Sequence, residues 1–416
     1  MSIVGSDGVQ GDTGQISDSS SLDKILAPCS TQEFLSRYFG KTMLYVKGRP
    51  GRFDWLFSWQ KLNEILKHHR LVSTRQLKLI KNRTPCPGES YTRMGIDGAT
   101  PELAVAEFHQ ALREGATLII DKIDEFHDPI AELADSLSRR LHSCVGTNMY
   151  ASWRSESAFD EHFDDHDTLI VQIAGRKRWK IYGPTVNYPL LEMRRNMTEP
   201  ETLPLWDECL HAGDILYLPR GWWHCVIPVD EPTLHLTIGM VNPTGVSLVR
   251  WLEKRVMGIE HMRKDIPIIE CPEERGEYSA RIRETICGLM ESEQLLEEFF
   301  RFWNGECPPR RAFGLPMAAL PSHASIPEDC LISVLGRRVW EITTQAESDT
   351  LEVICGGKTF RFHRVTLPVI IYLNETRRCS AARLYEAFEA IDKEHIELLL
   401  QELCRVGLIN ISSVLS

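Results

Sequence analysis

The 416-residue sequence contains no long uninterrupted apolar run, although 43% of its residues are hydrophobic. A helix needs roughly 18 or more consecutive apolar residues to cross a bilayer, so we predict no membrane span and no membrane partner. Residues 1–21 are rich in Gly, Ser, Asp and Gln. They have neither the basic start nor the apolar centre of a secretory signal, and we expect a disordered lead.

Basic residues and closely paired cysteines are also scarce. Lys and Arg together number 47 against 58 Asp and Glu, which gives a formal net charge of -11. This balance argues against general affinity for nucleic acid or anionic lipid, and it mildly favours a basic partner.

The 12 cysteines are scattered without a Cys-x-x-Cys pair. We therefore expect reduced thiols and a cytoplasmic location rather than a disulfide framework.

The chain is too long for one ordinary hydrophobic core, so we expect several domains. Residues 31–140 mix helical and strand patterns, whereas residues 148–242 contain short β-rich runs separated by Gly and Pro turns. Regularly spaced short strands are typical of a barrel or a double-sheet jelly roll. We predict an α+β fold in which residues 22–243 form one domain around such a β core.

A change of apolar period to 3.6 residues predicts a helical segment over residues 244–306. Its aromatic end, residues 295–303, is more apolar than a solvated helix should be. This end either forms a dimer surface or packs in an ordinary core. Residues 307–328 contain the Pro and Gly clusters that are typical of a linker.

The remaining residues, 329–416, end in two helical patterns and a short strand, an order that resembles a winged helix. Winged helices often bind DNA, but the second predicted helix is mostly acidic. Its charges are Asp392, Glu394, Glu397 and Glu402 against Lys393 and Arg405. Because these carboxylates would repel phosphate, we expect a structural or dimer-stabilising role rather than nucleic-acid binding.

A His-x-Asp sequence formed by His162 and Asp164 carries the first chemical signal. Alternate residues of a strand share a face, so His162, Asp164 and His166 should point one way and Phe163 the other. Two of these three polar side chains could chelate one ion. On its own the pattern is weak, because a histidine in a strand is more often a hydrogen-bonded core residue.

The second signal lies in residues 213–224. Gly213 precedes a β-rich run, a Pro-Arg-Gly turn at residues 219–221 and a return strand that carries His224. We expect a β-hairpin whose second arm directs His224 into the barrel. Two imidazoles and one carboxylate are the ligands that hold a non-haem Fe(II) and leave positions open for reactants. The sequence therefore predicts an oxygen-using enzyme.

These motifs resemble the JmjC-type cupins of the ribosomal-oxygenase group, which are Fe(II)- and 2-oxoglutarate-dependent protein hydroxylases. The matching stretches are residues 162–167, 172–179 and 213–224. The resemblance implies a double-stranded β-helix core, O2 as a further co-substrate and a dimerisation role for the helical segment. It also implies the iron ligands His162, Asp164 and His224.

The same resemblance implies that the substrate is a protein or peptide. Hydroxylation of an amino-acid side chain in a ribosomal or small peptide target is the leading case. Removal of an N-methyl group begins with the same hydrogen abstraction and is an alternative. A third alternative is a metal-binding but catalytically idle cupin that acts as a dimeric scaffold or regulator.

Lys177 is the predicted cation of the co-substrate site. Strand parity places it on the apolar side with Trp179 and Ile181, and a buried ammonium group requires a counter-anion. The distal carboxylate of 2-oxoglutarate would supply this anion, and the resemblance places Lys177 where the family keeps its co-substrate cation. The alternative is that Lys177 lies near the turn and reaches water.

Asn148 and Tyr150 share a strand face upstream of the His-x-Asp sequence, and both can donate hydrogen bonds to a bound dicarboxylate. We predict that they contact the co-substrate, with satisfaction of backbone groups as the equal alternative. His166 is a further candidate that either supports the metal ligands or faces the substrate.

Overall fold

The computed structural model describes residues 18–68, 71, 75–155, 157–268, 271–306, 310, 313, 315–319, 325–336, 339–344 and 349–412. The chain divides into two compact units, Met1–Asn242 and Pro243–Ser416. Most of the predicted lead and much of the predicted linker 307–328 lie outside the described residues. The first helix begins at Asp18, within the last part of the predicted lead.

The first unit combines short helices with many strands. The helices are α1 (Asp18–Leu26), α2 (Thr31–Glu33), α3 (Trp59–His68), α4 (Val105–Arg113) and α5 (Asp128–Leu141). The strands before the His-x-Asp sequence are β1 (Leu44–Val46), β2 (Leu77–Lys81), β3 (Thr84–Pro85), β4 (Thr92–Met94), β5 (Pro101–Leu103), β6 (Thr117–Ile120) and β7 (Cys144–Ser152). The strands after it are β8 (Asp167–Ala174), β9 (Arg176–Pro184), β10 (Trp206–His211), β11 (Ile215–Leu218), β12 (Trp222–Pro228) and β13 (Thr233–Val241).

Two antiparallel sheets form the β core. The larger sheet has the order β1-β11-β8-β13-β7-β6-β2-β3, and the smaller has the order β10-β9-β12. From β8 onward the chain passes repeatedly from one sheet to the other: β8, β11 and β13 lie in the larger sheet, and β9, β10 and β12 lie in the smaller one. This is the double-sheet jelly roll predicted from the strand spacing.

Different apolar clusters fill the two sides of the larger sheet. Between the sheets, Ile170 and Leu216 of the larger sheet pack with Trp179, Ile181 and Trp206 of the smaller one. On the other side, a larger cluster joins the sheet to helices such as α1 and α5. The inter-sheet cluster leaves one part of the barrel interior free, and the candidate site occupies that part.

The predicted hairpin in residues 213–224 is wrong. Strand β11 pairs with β8 and β1 in the larger sheet, whereas β12 pairs with β9 in the smaller sheet. The turn at residues 219–221 therefore carries the chain across the barrel. All four residues of β11 are buried, which suits a strand with a neighbour on each side better than one arm of a surface hairpin.

The second unit contains helices and small antiparallel sheets. Its helices are α6 (Gly245–Val256), α7 (Pro272–Met290), α8 (Leu295–Glu306), α9 (Leu367–Thr376), α10 (Ala381–Ala387) and α11 (Lys393–Arg405). Its strands are β14 (Leu331–Val334), β15 (Glu341–Thr344), β16 (Thr350–Cys355), β17 (Lys358–His363), β18 (Arg378–Ser380) and β19 (Ile409–Ser412). They form two three-stranded sheets, β18-β14-β19 and β15-β16-β17.

The aromatic end of the predicted helical segment lies in α8. Phe299 is buried against Trp251 and Leu252 of α6, whereas Leu296 is 59% exposed. One face of α8 is therefore ordinary core and another faces outward. Within the residues that the structure describes, no helix is both long and apolar enough to cross a membrane.

Candidate metal and co-substrate site

His162, Asp164 and His224 converge in the barrel interior, where their potential ligand atoms all lie within 4.8 Å of one another. A pair of backbone hydrogen bonds joins the two histidines: the His162 N–H donates to the His224 carbonyl at 3.1 Å, and the His224 N–H donates to the His162 carbonyl at 2.7 Å. The Gly221 N–H donates to the Asp164 carbonyl at 2.8 Å. Backbone hydrogen bonds therefore join the two sequence motifs next to the three candidate ligands.

Both imidazoles have the same defined tautomer. Nδ1 of His162 lies 2.8 Å from the Asp160 carbonyl, and Nδ1 of His224 lies 3.0 Å from the Trp222 carbonyl. A carbonyl only accepts, so each Nδ1 carries the hydrogen and each Nε2 presents a lone pair. Burial lowers the pKa of His224 to about 4, which keeps this imidazole in the neutral form that binds metals.

The segment around the His-x-Asp sequence is extended but is not a strand, because only His162 forms a β-bridge. The predicted alternation of faces nevertheless holds. Phe163 is 3% exposed and packs against Trp223 with 5.1 Å between ring centroids. Asp164 and His166 line one cavity on the opposite side.

Asp167 fixes this segment to the turn before β12. Its buried carboxylate accepts hydrogen bonds from the Arg220 backbone N–H at 2.8 Å, the Tyr217 hydroxyl at 3.0 Å and the Asn242 side chain at 2.8 Å. The Tyr217 hydroxyl in turn accepts from the Gly40 N–H at 2.7 Å. Burial raises the pKa of Asp167. No local sequence pattern predicts this network, because its members are distant along the chain.

The three metal-binding candidates and Lys177 line one cavity. Lys177 follows the predicted parity, since β9 alternates exposed and buried residues and Lys177 is 3% exposed. Its Nζ lies 3.2 Å from Nδ1 of His235, and no carboxylate within the described ranges pairs with it. Burial lowers the pKa of Lys177 to about 7. The alternative in which this ammonium group reaches water does not fit so small an exposure.

The structure separates the two other predicted co-substrate contacts. Tyr150 lines the cavity that contains Lys177, whereas Asn148 lines a neighbouring cavity. The Asn148 side-chain oxygen accepts the Lys122 backbone N–H at 3.0 Å, which is the backbone role considered as its alternative. Asn148 therefore does not line the cavity that contains Lys177.

The neighbouring cavity, which we call the second cavity, has two glycines in its lining. Gly146 of β7 and Gly239 of β13 are register partners. A Cβ on Gly146 would meet nothing within 4 Å, and a Cβ on Gly239 would lie 2.7 Å from Nε2 of His166. The residues that line both cavities are Tyr150, Asp164 and Thr237.

Sequence reasoning missed His235, although β13 contained a signal for it. Leu234, Leu236, Ile238 and Met240 alternate with Thr233, His235, Thr237 and Gly239. Such alternation gives the strand one apolar face and one polar face. The polar face includes cavity-lining residues, so this pattern would have pointed to His235.

Part of this chain is similar in sequence to known proteins. Residues 123–248 match the JmjC domain family. The bifunctional lysine-specific demethylase and histidyl-hydroxylase NO66 of Drosophila mojavensis is 26% identical over 258 residues, which cover 59% of this chain and 28% of that protein. The protein of the same name from Drosophila sechellia is 30% identical over 221 residues, covering 52% of this chain and 33% of that protein. The chain thus spans about a third of the length of these curated relatives.

Solved structures show the same fold. The Escherichia coli ribosomal oxygenase YcfD superposes with a TM-score of 0.60 at 17% identity, covering 92% of this chain and 98% of that chain. A structure of YcfD in complex with cobalt and 2-oxoglutarate superposes with a TM-score of 0.57 at 17% identity, over the same shares of the two chains. The metal-binding candidates and Lys177 all fall within the matched family region. Residues 123–248 are therefore similar to the JmjC domain family, and the chain shares the fold of the YcfD structures.

Proposed function

We propose that this protein is an Fe(II)- and 2-oxoglutarate-dependent oxygenase that hydroxylates an amino-acid side chain of a protein or peptide. One observation carries the proposal: a buried lysine, which has no counter-anion in the described part of the chain, shares a cavity with two imidazoles and a carboxylate. A scaffold that only binds metal has no need for a buried ammonium group. The observation therefore favours an enzyme over the idle cupin.

The donor set suits ferrous iron. His162 and His224 present neutral Nε2 atoms, and Asp164 supplies the single negative charge. Two imidazoles and one carboxylate are preferred by non-haem Fe(II) and leave coordination positions open. When bound, iron and 2-oxoglutarate would supply the oxidising chemistry, in which one oxygen atom of O2 enters a C–H bond and the 2-oxo acid becomes succinate and carbon dioxide.

The cavity also suits a dicarboxylate. Lys177 offers a buried ammonium group. The buried indole N–H of Trp179, which lines the same cavity, has no hydrogen-bond partner among the residues that the structure describes. Buried donors of this kind are costly unless an acceptor meets them. The distal carboxylate of 2-oxoglutarate is an acceptor that also neutralises Lys177. Tyr150 supplies a hydroxyl in the same cavity.

The target side chain would enter through the second cavity. Its shared residues place it against Asp164, and Gly146 leaves open space in its lining. The names of the relatives point to histidyl hydroxylation and lysine demethylation. The name of the similar E. coli structure points to a ribosomal target. A ribosomal or small peptide substrate is the leading case, and the net charge of -11 weakly favours a basic peptide. N-methyl demethylation is the second candidate.

We also infer a domain organisation for the rest of the chain. Residues 22–243 would form the catalytic domain, 244–306 a dimerisation segment, 307–328 a linker and 329–416 a winged-helix-like domain. The exposed Leu296 supports a dimer contact through α8, and α10, α11 and the β18-β14-β19 sheet support the winged-helix assignment. The acidic α11 argues against DNA binding. The free cysteines of the described residues are compatible with a cytoplasmic location.

The proposal is tested by incubating the full chain with Fe(II), ascorbate, 2-oxoglutarate and a tryptic digest of ribosomal proteins. We expect succinate together with peptides that gain about 16 Da, the mass of one oxygen atom. Demethylation would instead produce peptides that lose about 14 Da, the mass of a methylene group. The enzyme assignment would be contradicted if the reaction formed no more succinate than a metal-free control and changed the mass of no peptide.

Replacement of Gly146 by leucine should separate peptide oxidation from co-substrate binding. The new side chain enters open space and fills the second cavity, whereas the Lys177 cavity is not changed. We expect peptide oxidation to fall at least about tenfold, while 2-oxoglutarate affinity and substrate-free succinate formation stay within about twofold. Gly88→Leu is the matched control, because a Cβ there also meets nothing within 4 Å. Equal peptide oxidation by the Gly146 variant would show that the target enters elsewhere.

A further inference from the structure

His166 places its imidazole ring directly over a glycine inside the second cavity. If Gly239 of β13 had a Cβ, that atom would lie 2.7 Å from Nε2 and 2.8 Å from Cδ2 of His166. Non-bonded carbon atoms normally stay about 3.5 to 4.0 Å apart, so a larger residue does not fit at position 239 unless the ring moves. Glycine at this position therefore allows the ring to lie where it does.

A hydrogen bond fixes which edge of the ring faces Gly239. Nδ1 of His166 lies 3.0 Å from Oδ1 of Asp165. An ionised carboxylate only accepts, so Nδ1 carries the hydrogen of this bond. One edge of the ring is thus held at Asp165, while the opposite edge lies over Gly239. The His166 side chain is 29% exposed, so it forms a wall of the cavity and is not covered by other residues.

The two strands beneath His166 order the second cavity from its exposed end to the metal site. Six residues of its lining form three register pairs: Cys144 with Val241, Gly146 with Gly239 and Asn148 with Thr237. Val241 is 46% exposed, whereas Thr237 also lines the cavity of the metal-binding candidates. The glycine pair lies between these two ends. A group that moves along the strands from Val241 to Thr237 therefore passes His166.

The glycine pair is open on one strand and occupied on the other. A Cβ on Gly146 would meet nothing within 4 Å, whereas the His166 ring occupies the position of a Cβ on Gly239. The ring therefore takes up space that two neighbouring glycines would otherwise leave free. It narrows the second cavity at this pair, and the space over Gly146 stays open.

We propose that His166 is a specificity-determining residue: its ring narrows the second cavity at the glycine pair and so limits the size of the target side chain that reaches Asp164. This inference rests on the proposed function. A closely fitting pocket rejects a larger side chain by steric overlap, and a single methylene group can change specificity by about tenfold or more. Histidine at position 166 and glycine at position 239 would together decide which target side chains are oxidised.

The test measures, for the full chain, oxidation of peptides from a tryptic digest of ribosomal proteins, divided by the succinate formed without peptide. Gly239→Ala pushes the ring into the cavity, so we expect this ratio to fall at least about tenfold for the peptides that the unaltered protein oxidises. His166→Ala widens the cavity, and we expect oxidation of additional peptides with bulkier target residues. The double variant should behave like His166→Ala, because the next atom near the new Cβ is the Gly146 carbonyl oxygen at 3.8 Å.

Two substitutions away from the cavity are the matched controls. Gly88→Ala adds a methyl group that meets nothing within 4 Å. His211→Ala removes an exposed imidazole of β10. Neither residue lines the second cavity. Both variants should keep the ratio and the set of oxidised peptides of the unaltered protein.

The outcomes distinguish this inference from the proposed function. A low ratio in Gly239→Ala that persists in the double variant would overturn the inference, because the His166 ring would then not be its cause. Equal falls in peptide oxidation and in peptide-free succinate would mean that the two residues only maintain the fold, which also overturns it. The same holds if His166→Ala oxidises the same peptides as the unaltered protein. Failure of the unaltered protein to form succinate would refute the proposed function itself.

Discussion

Replacing Asp164 with alanine should lower 2-oxoglutarate-dependent succinate formation at least about a hundredfold, because the metal site loses its single carboxylate. The two remaining imidazoles are neutral, so nothing else in the triad offsets the charge of a divalent ion. Residual activity is measured as succinate produced with Fe(II) and ascorbate, and metal content is measured on the same samples by mass spectrometry. We expect both quantities to fall together.

Asp160→Ala is the matched control for this experiment. Asp160 lies two residues before His162, and its exposed carboxylate pairs with Arg83. The contact of Asp160 with His162 uses only its backbone carbonyl, which alanine keeps. Activity should therefore stay close to that of the unaltered protein. Equal succinate formation by the Asp164 variant and the unaltered protein would show that the activity does not arise at this triad.

Replacing Lys177 with methionine should have two effects of opposite sign. Loss of the cation should weaken 2-oxoglutarate binding by about 2 to 4 kcal/mol, which is roughly thirtyfold to a thousandfold. The unliganded protein should nevertheless become more stable, because a buried ammonium group without a counter-anion is replaced by an apolar chain of similar length. Titration calorimetry measures the first effect, and the Tm without ligand measures the second.

The pKa of Lys177 sets the pH at which these effects appear. Burial lowers this pKa from 10.5 to about 7, so the folded protein binds this proton less well than the unfolded chain. The destabilisation by Lys177 therefore develops as pH falls from about 10.5 and is complete below about 7. The Tm advantage of the methionine variant should be largest near pH 6 and shrink towards pH 10. Affinity for 2-oxoglutarate in the unaltered protein should fall as pH rises above 7.

Lys180→Met provides the control, because Lys180 lies on the same strand but does not line the cavity. It should change neither affinity nor the pH dependence of the Tm. A Lys177 variant that binds 2-oxoglutarate as tightly as the unaltered protein would remove the main support for the co-substrate site. A lower Tm in that variant would show that Lys177 stabilises the unliganded fold.

Local patterns in the sequence were sufficient for most features near the site. Strand parity placed Lys177 in the interior and Phe163 opposite Asp164, because the alternation of faces depends only on neighbouring residues. The β-rich runs corresponding to β8 and β11 were also predictable from composition. These features required no knowledge of which strand lies beside which.

Features that depend on distant residues were not predictable in this way. The hairpin prediction failed because a turn sequence does not specify whether its two strands share a sheet. The Asp167 network joins residues from Gly40 to Asn242, and no local period marks it. His235 was overlooked because its contact with Lys177 requires the two sheets to face each other. The second unit had similar misses, since its short strands between Leu331 and Ser380 have too few residues to show a period.

Under the proposed function, the mutual backbone bonds between His162 and His224 link iron binding to the stability of the folded protein. In an unfolded chain the two imidazoles are separated by a long loop, so only the closed barrel offers an ion tight binding. Occupancy at a hundred times the dissociation constant would favour the folded state by about 2.7 kcal/mol. In a cell short of iron, a larger fraction of molecules would open and be degraded by proteases, and the amount of enzyme would fall with its metal supply.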